Sequence, residues 1–111
     1  MKNVKVLSSK EKAERLVEAV LKHLATIPGF TEEFADLGDV VQMNIRKTLE
    51  RIVLKETDGF IFANVAQSIT KQILADLTHR PGLRQGFFDA MESEDRGNLV
   101  KQILSIVVRN R

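Results

Sequence analysis

The side chains that could do chemistry are few and scattered. His23 and His79 are the two histidines of the 111-residue chain; His23 has no carboxylate or second histidine at the three- or four-residue spacing of a helical metal or general-base site, and His79 has Asp76 alone at that spacing, too few groups for such a site. Each is therefore expected at the surface. Two acidic groups, Glu32, Glu33, Asp36 and Asp39, then Glu92, Glu94 and Asp95, lack the alternating oxygen ligands and central glycine of a calcium loop. They stand where helices are expected to begin, where negative charge meets the positive end of the helix dipole. There is no phosphate-cradling glycine loop and no nucleophile motif, and the absence of cysteine removes thiolate chemistry. No catalytic, metal or cofactor residue is assigned, and the chain is expected not to be an enzyme.

Basic residues offer the next chemistry. Lys47, Arg51 and Lys55 recur at four-residue steps, which makes a stripe on a helix, and His79, Arg80 and Arg84 surround a Pro-Gly turn. Phosphate contacts need such clusters, so Lys47, Arg51, Lys55, Arg80 and Arg84 are the candidate contacts of a second reading, a nucleic-acid-binding helical protein. The four residues Ile27-Pro28-Gly29-Phe30 resemble the hairpin of helix-hairpin-helix DNA-binding motifs, in which turn N–H groups meet phosphate. Thr31 stands where that motif has its second glycine, and Glu32 and Glu33 would repel a phosphate. The charge, +2 from 17 basic and 15 acidic residues, is near balance despite a pI near 9.1.

Length and composition, 43% hydrophobic and 29% charged, fit one domain over residues 1–111 with one core. The start lacks the apolar stretch of a signal peptide, and no run approaches the ~18–20 apolar residues of a membrane span, so a cytoplasmic protein without a membrane role is expected.

The elements that would position these residues are all helical. Ala13, Leu16, Val17, Val20, Leu21 and Leu24 share one face of a first long helix, with Ser8 and Glu11 as a capping box. Pro28-Gly29 ends it. Thr31 is expected to cap a short helix through Phe34 that stops at Gly38, and Asp39 with Gln42 to cap a second long helix carrying Val41, Ile45, Leu49, Ile52 and Val53 and ending near Gly59. A third, about residues 60–78, carries Phe62, Val65, Ala66, Ile69, Ile73 and Leu77. After Pro81-Gly82 come a short helix around Phe87 and a last one from about Glu94 to Val108, capped by Ser93. The expected fold is an all-α bundle of four long and two short helices.

The two Pro-Gly turns suggest why the plan occurs twice. An offset of 53 pairs Ala13 with Ala66, Leu16 with Ile69, Val20 with Ile73, Leu24 with Leu77, Phe34 with Phe87 and Asp36 with Asp89. After one inserted residue, Asn44 pairs with Asn98, Lys47 with Lys101, Leu49 with Ile103 and Val53 with Val107. Residues about 10–57 and 60–109 are therefore expected to be two copies of one helix, Pro-Gly turn, short helix, helix unit, with Phe34 and Phe87 as equivalent plugs.

Where the copies differ, a partner is expected. The last helix carries Val100, Leu104 and Val108, where the first copy has Arg46, Glu50 and Leu54. The third long helix is poor in charge, with Gln67 and Thr70 among its polar positions. These five residues, Val100, Leu104, Val108, Gln67 and Thr70, make the candidate protein interface, unless Val4, Val6 and Leu7 fold over the ridge. The favoured reading is a small protein-protein interaction module, a homodimeric adaptor, regulator or assembly subunit without catalytic activity.

Overall fold

The computed structural model describes residues 9–57 and 63–110. Five α-helices run in the order α1 (Ser9–Leu24), α2 (Phe30–Asp36), α3 (Asp39–Thr57), α4 (Ala63–Thr78) and α5 (Ser93–Arg109), with a π turn over Arg84–Phe88 between α4 and α5. Among the described residues there is no strand, so the chain is all-α. Ser8, Gly59 and Phe62, and the residues Val4, Val6 and Leu7, lie outside the described residues.

Helices α1, α3, α4 and α5 close a ring, each packing on two others, while α2 lies against α3 and the π turn, which also packs on α4. Because α2 and the π turn touch, both connections lie at one end of the bundle, and the four long helices must alternate up and down. The ring encloses Leu16, Val20, Leu24, Ile45, Leu49, Ile69, Ile73, Leu77 and Ile103, all fully buried. Burial of this kind, at about 25 cal/mol per Å² of apolar surface, is the main force holding the helices together.

Positions paired by the 53- and 54-residue offsets share their environments. Ala13 and Ala66, Leu16 and Ile69, Leu24 and Leu77, Ile45 and Leu99, and Leu49 and Ile103 are buried together. Gly29 and Gly82 have nearly the same left-handed φ, 93° and 89°. Gly38, with φ 85°, supplies the stop expected after α2.

Four local expectations are corrected. Thr31 does not cap α2, which starts from left-handed Gly29; its hydroxyl instead donates to the Ala25 carbonyl at 3.4 Å. Gln42 does not close a box with Asp39, since its amide donates to the Phe34 carbonyl at 2.9 Å and so caps the C-terminal end of α2. Ser93 lies within α5, and the extended residue before it is Glu92, which makes no side-chain cap. The main plug is Phe30, not Phe34: Phe30 is 2% exposed, while Phe34 is half-buried and stacks on it at 5.4 Å. Phe87 meets the same ring edge-on at 5.3 Å, which ties α2 to the π turn.

Candidate functional site

Helix α5 positions the ridge by burying Leu99, Ile103, Ile106 and Val107 against the bundle, which turns the neighbouring Val100 outward. Val100 is 43% exposed, one of four large apolar residues so exposed among those described. Leu104 and Val108 are half-buried and pack on the edge of the core. Beside Val100, between α4 and α5, runs an apolar groove of about 220 Å³ lined by Leu74, Thr78, Phe88, Leu99 and Val100, with Asp89 and Arg96 at its edge. Arg96 donates to the Phe88 carbonyl at 2.7 Å, so its head is held at the groove wall.

The matching groove between α1 and α3 has a different character. It is lined by Leu21, Ala25, Phe30 and Phe34, but Arg46 and Glu18 stand over it and form an ion pair. The offsets carry Glu18 to Lys71 and Arg46 to Val100, so the second groove has no such pair across it. Gln42 and Arg96 are also equivalent by the offset, and each donates to a carbonyl of the short element before it. The two grooves share this carbonyl bond and differ in the ion pair.

The other candidate interface residues divide. Gln67 is exposed on α4. Thr70 is not: it is 2% exposed and its hydroxyl donates to the Ala66 carbonyl at 2.8 Å, so it belongs to the core and leaves the interface. The signal was present, because the offset places Thr70 on Val17, which is also buried. A threonine can occupy that place because the preceding turn satisfies its hydroxyl. Phe88, 4% exposed, had no such signal, since its counterpart Ala35 is exposed.

Lys47, Arg51 and Lys55 are all exposed along α3. Lys47 and Arg51 border a shallow groove with Lys10, Arg46, Glu14 and Glu50, so acidic groups interrupt the basic field. The cluster at the second turn does not offer free cations. Arg80 donates to both carboxylate oxygens of Asp76 at 3.2 Å and reaches Thr48 at 3.4 Å. Arg84 lies 3.7 Å from Asp89.

His23 is half-buried rather than fully exposed, with Nε2 2.8 Å from the side-chain oxygen of Gln102, which joins α1 to α5. His79 is exposed, with Nδ1 2.6 Å from the Ala75 carbonyl. Among the described residues, no three histidine or acidic side chains gather as metal ligands, and no helix is long and apolar enough to cross a membrane. No protein-family model, curated protein or solved structure matches the chain.

Proposed function

We propose that this chain is a non-catalytic protein-protein interaction module, an adaptor, regulator or assembly subunit, that self-associates through the outer face of α4 and α5. The observation that carries the reading is Val100, 43% exposed beside an apolar groove, at the position where the first half places the Arg46–Glu18 ion pair. An exposed apolar face of this kind is a common mark of association. Gln67 belongs to the same face, and Leu104 and Val108 extend it. The shared burial pattern and the paired Gln42 and Arg96 bonds support the further reading that the two halves are copies of one unit.

The test is to rebuild the charged face on the second half. Val100→Arg with Lys71→Glu should restore an ion pair across the groove, keep the helical circular dichroism and convert a dimer to a monomer in light scattering. A micromolar dimer is held by about 8 kcal/mol, and leaving unpaired charge in its interface costs on the order of several kcal/mol, so Val100→Glu should dissociate it too. A wild type that is monomeric at high concentration refutes self-association.

The exposed α3 stripe favours one second reading, nucleic-acid binding through Lys47, Arg51 and Lys55. Reversing all three to glutamate should then abolish binding, and wild-type affinity should fall steeply with salt as counterions are released. Binding unchanged by the reversal removes the stripe.

A further inference from the structure

We propose that the cleft between α1 and α5 at the Pro28-Gly29 turn binds a small organic cation, a guanidinium, amidinium or ammonium group on a compact apolar body. The cleft lies on the side of α5 that meets α1, away from Val100, and does not depend on the association face.

The two Pro-Gly junctions differ in what fills them. At Pro81-Gly82, between α3 and α4, the chain fills the seam itself: Leu37 and Val41 are half-buried against the core, and a Cβ on Gly82 would come within 3.0 Å of Leu37 Cδ2. Arg80 spans that seam, donating to Asp76 of α4 and Thr48 of α3. The offsets carry Leu37 to Ala90, Val41 to Asp95 and Arg80 to Ile27. Ala90 and Asp95 are exposed, and at Pro28-Gly29 a cleft of about 480 Å³ remains. Small-molecule sites have volumes of ~300–1,000 Å³.

The lining sets the chemistry. Ile27, Phe87, Met91 and Leu99 supply apolar surface, and Asp95, Asn98 and Gln102 follow one another along α5 at steps of three and four residues. Where Arg80 bridges Asp76 and Thr48, the equivalent His23 and Gln102 bond each other directly at 2.8 Å, so the oxygens left to accept from a ligand are those of Asp95 and Asn98. Among the described residues Asp95 is the one charged group in the lining, which matches a cation and repels an anion. The α5 dipole places about half a positive charge at this end, and the two carboxylates of the first turn, Glu94 and Asp95, outweigh it.

Benzamidinium, an amidinium on a phenyl ring, is the probe, and its neutral analogue benzamide the control. Titrated at constant ionic strength into isotope-labelled protein, benzamidinium should shift the side-chain amide signals of Asn98 and Gln102 saturably, with benzamide binding several-fold more weakly. Asp95→Asn, an isosteric change at an exposed position, should weaken benzamidinium several-fold. Ala90→Leu, which copies the leucine of the other junction, should fill the cleft and abolish binding with the helical circular dichroism unchanged; should that variant fail to fold, Asp95→Asn decides alone. Benzamide binding as tightly overturns the cation, shifts that survive Asp95→Asn overturn the site, and no saturable shift overturns both. A free amine and an arginine side chain of another protein share this chemistry, so an alanine tripeptide with a central arginine is titrated alongside. Tighter binding of the tripeptide supports a protein side chain as the source, and tighter binding of benzamidinium a free molecule.

Discussion

Replacing four glycines by alanine should rank their costs in an order that inter-atomic distance alone would get wrong. Gly29, Gly38 and Gly82 have φ of 93°, 85° and 89°, a region that an L-residue enters at about 1–2 kcal/mol. At Gly38 an added Cβ meets nothing within 4 Å, and at Gly29 it meets Phe87 at an ordinary 3.8 Å, so both should cost only that conformational amount. At Gly82 the new carbon would lie 3.0 Å from Leu37 Cδ2, which must move within a packed junction, so Gly82→Ala should cost more than either. Gly86 is the opposite case. Its Cβ would come closest of all to a neighbour, the Glu33 carboxylate, but that is the free end of a flexible, half-buried side chain, and no left-handed φ adds to the cost. Gly86→Ala should therefore lie within about 1 kcal/mol of wild type, as Glu33 swings aside and alanine regains the backbone entropy that glycine loses. With a urea slope of about 1–3 kcal/mol per M, losses of about 1–2 kcal/mol move the unfolding midpoint by roughly 0.3–2 M, measured by circular dichroism. A double-mutant cycle of Gly82→Ala with Leu37→Ala should show coupling, because the smaller side chain removes the contact. Gly86→Ala as the most damaging change, or Gly82→Ala no worse than Gly38→Ala, would refute the reasoning.

Three further outcomes follow from single contacts. Gln42→Ala should lower stability by about 1 kcal/mol, since it leaves the Phe34 carbonyl at the end of α2 without its side-chain donor; thermal unfolding at neutral pH checks this. Arg80→Ala should cost about 1 kcal/mol or less and lose part of that effect in high salt, because its pair with Asp76 is partly exposed and screened; no salt dependence would mean the contact to Thr48 dominates. Gly97→Ala should raise stability by about 0.5–1 kcal/mol, since the residue sits inside α5 with open space around the new carbon, and an unchanged melting temperature would contradict that.

The helices were legible in the sequence because burial here follows the 3.6-residue period: Ala13, Leu16, Val20 and Leu24 were placed on one face by spacing alone and are all fully buried. What local pattern could not show was any bond whose partner comes from another element. Gln42 has the spacing of a capping box, yet its acceptor belongs to the preceding helix. Residue type marks the π turn only as a short helix, because its defining bond from the Asp89 N–H to the Arg84 carbonyl, 2.7 Å, leaves no mark in the sequence. At the candidate face, the ridge is legible only as a difference between the two halves; Val100 is exposed, whereas Leu104 and Val108 are half-buried against the core. Thr70 is polar by type but stands at a core register, and a hydroxyl that bonds its own helix can be buried as readily as a valine.

The contrast between the two outer faces also bears on the proposal that one of them recruits a partner. Half of this chain, taken alone, would expose the side that now meets the other half, where Phe30 and Phe87 touch and α3 packs on α4. Holding both halves in one chain satisfies those inner faces internally, at high effective concentration, and frees both outer faces from that requirement. On the α1–α3 face Arg46 and Glu18 pair over the groove, and burying that pair under another chain would require desolvating both ions. On the α4–α5 face the equivalent positions hold Val100 and Lys71, and lysine can bend its ammonium to water while its stem stays against apolar surface. Covering the second face spares the desolvation of such a pair across the groove and leaves Asp89 and Arg96 at the groove edge as the charges to be accommodated. On the proposed reading, in which the α4–α5 face alone self-associates, a single adhesive side would limit association to closed pairs and disfavour open chains of copies.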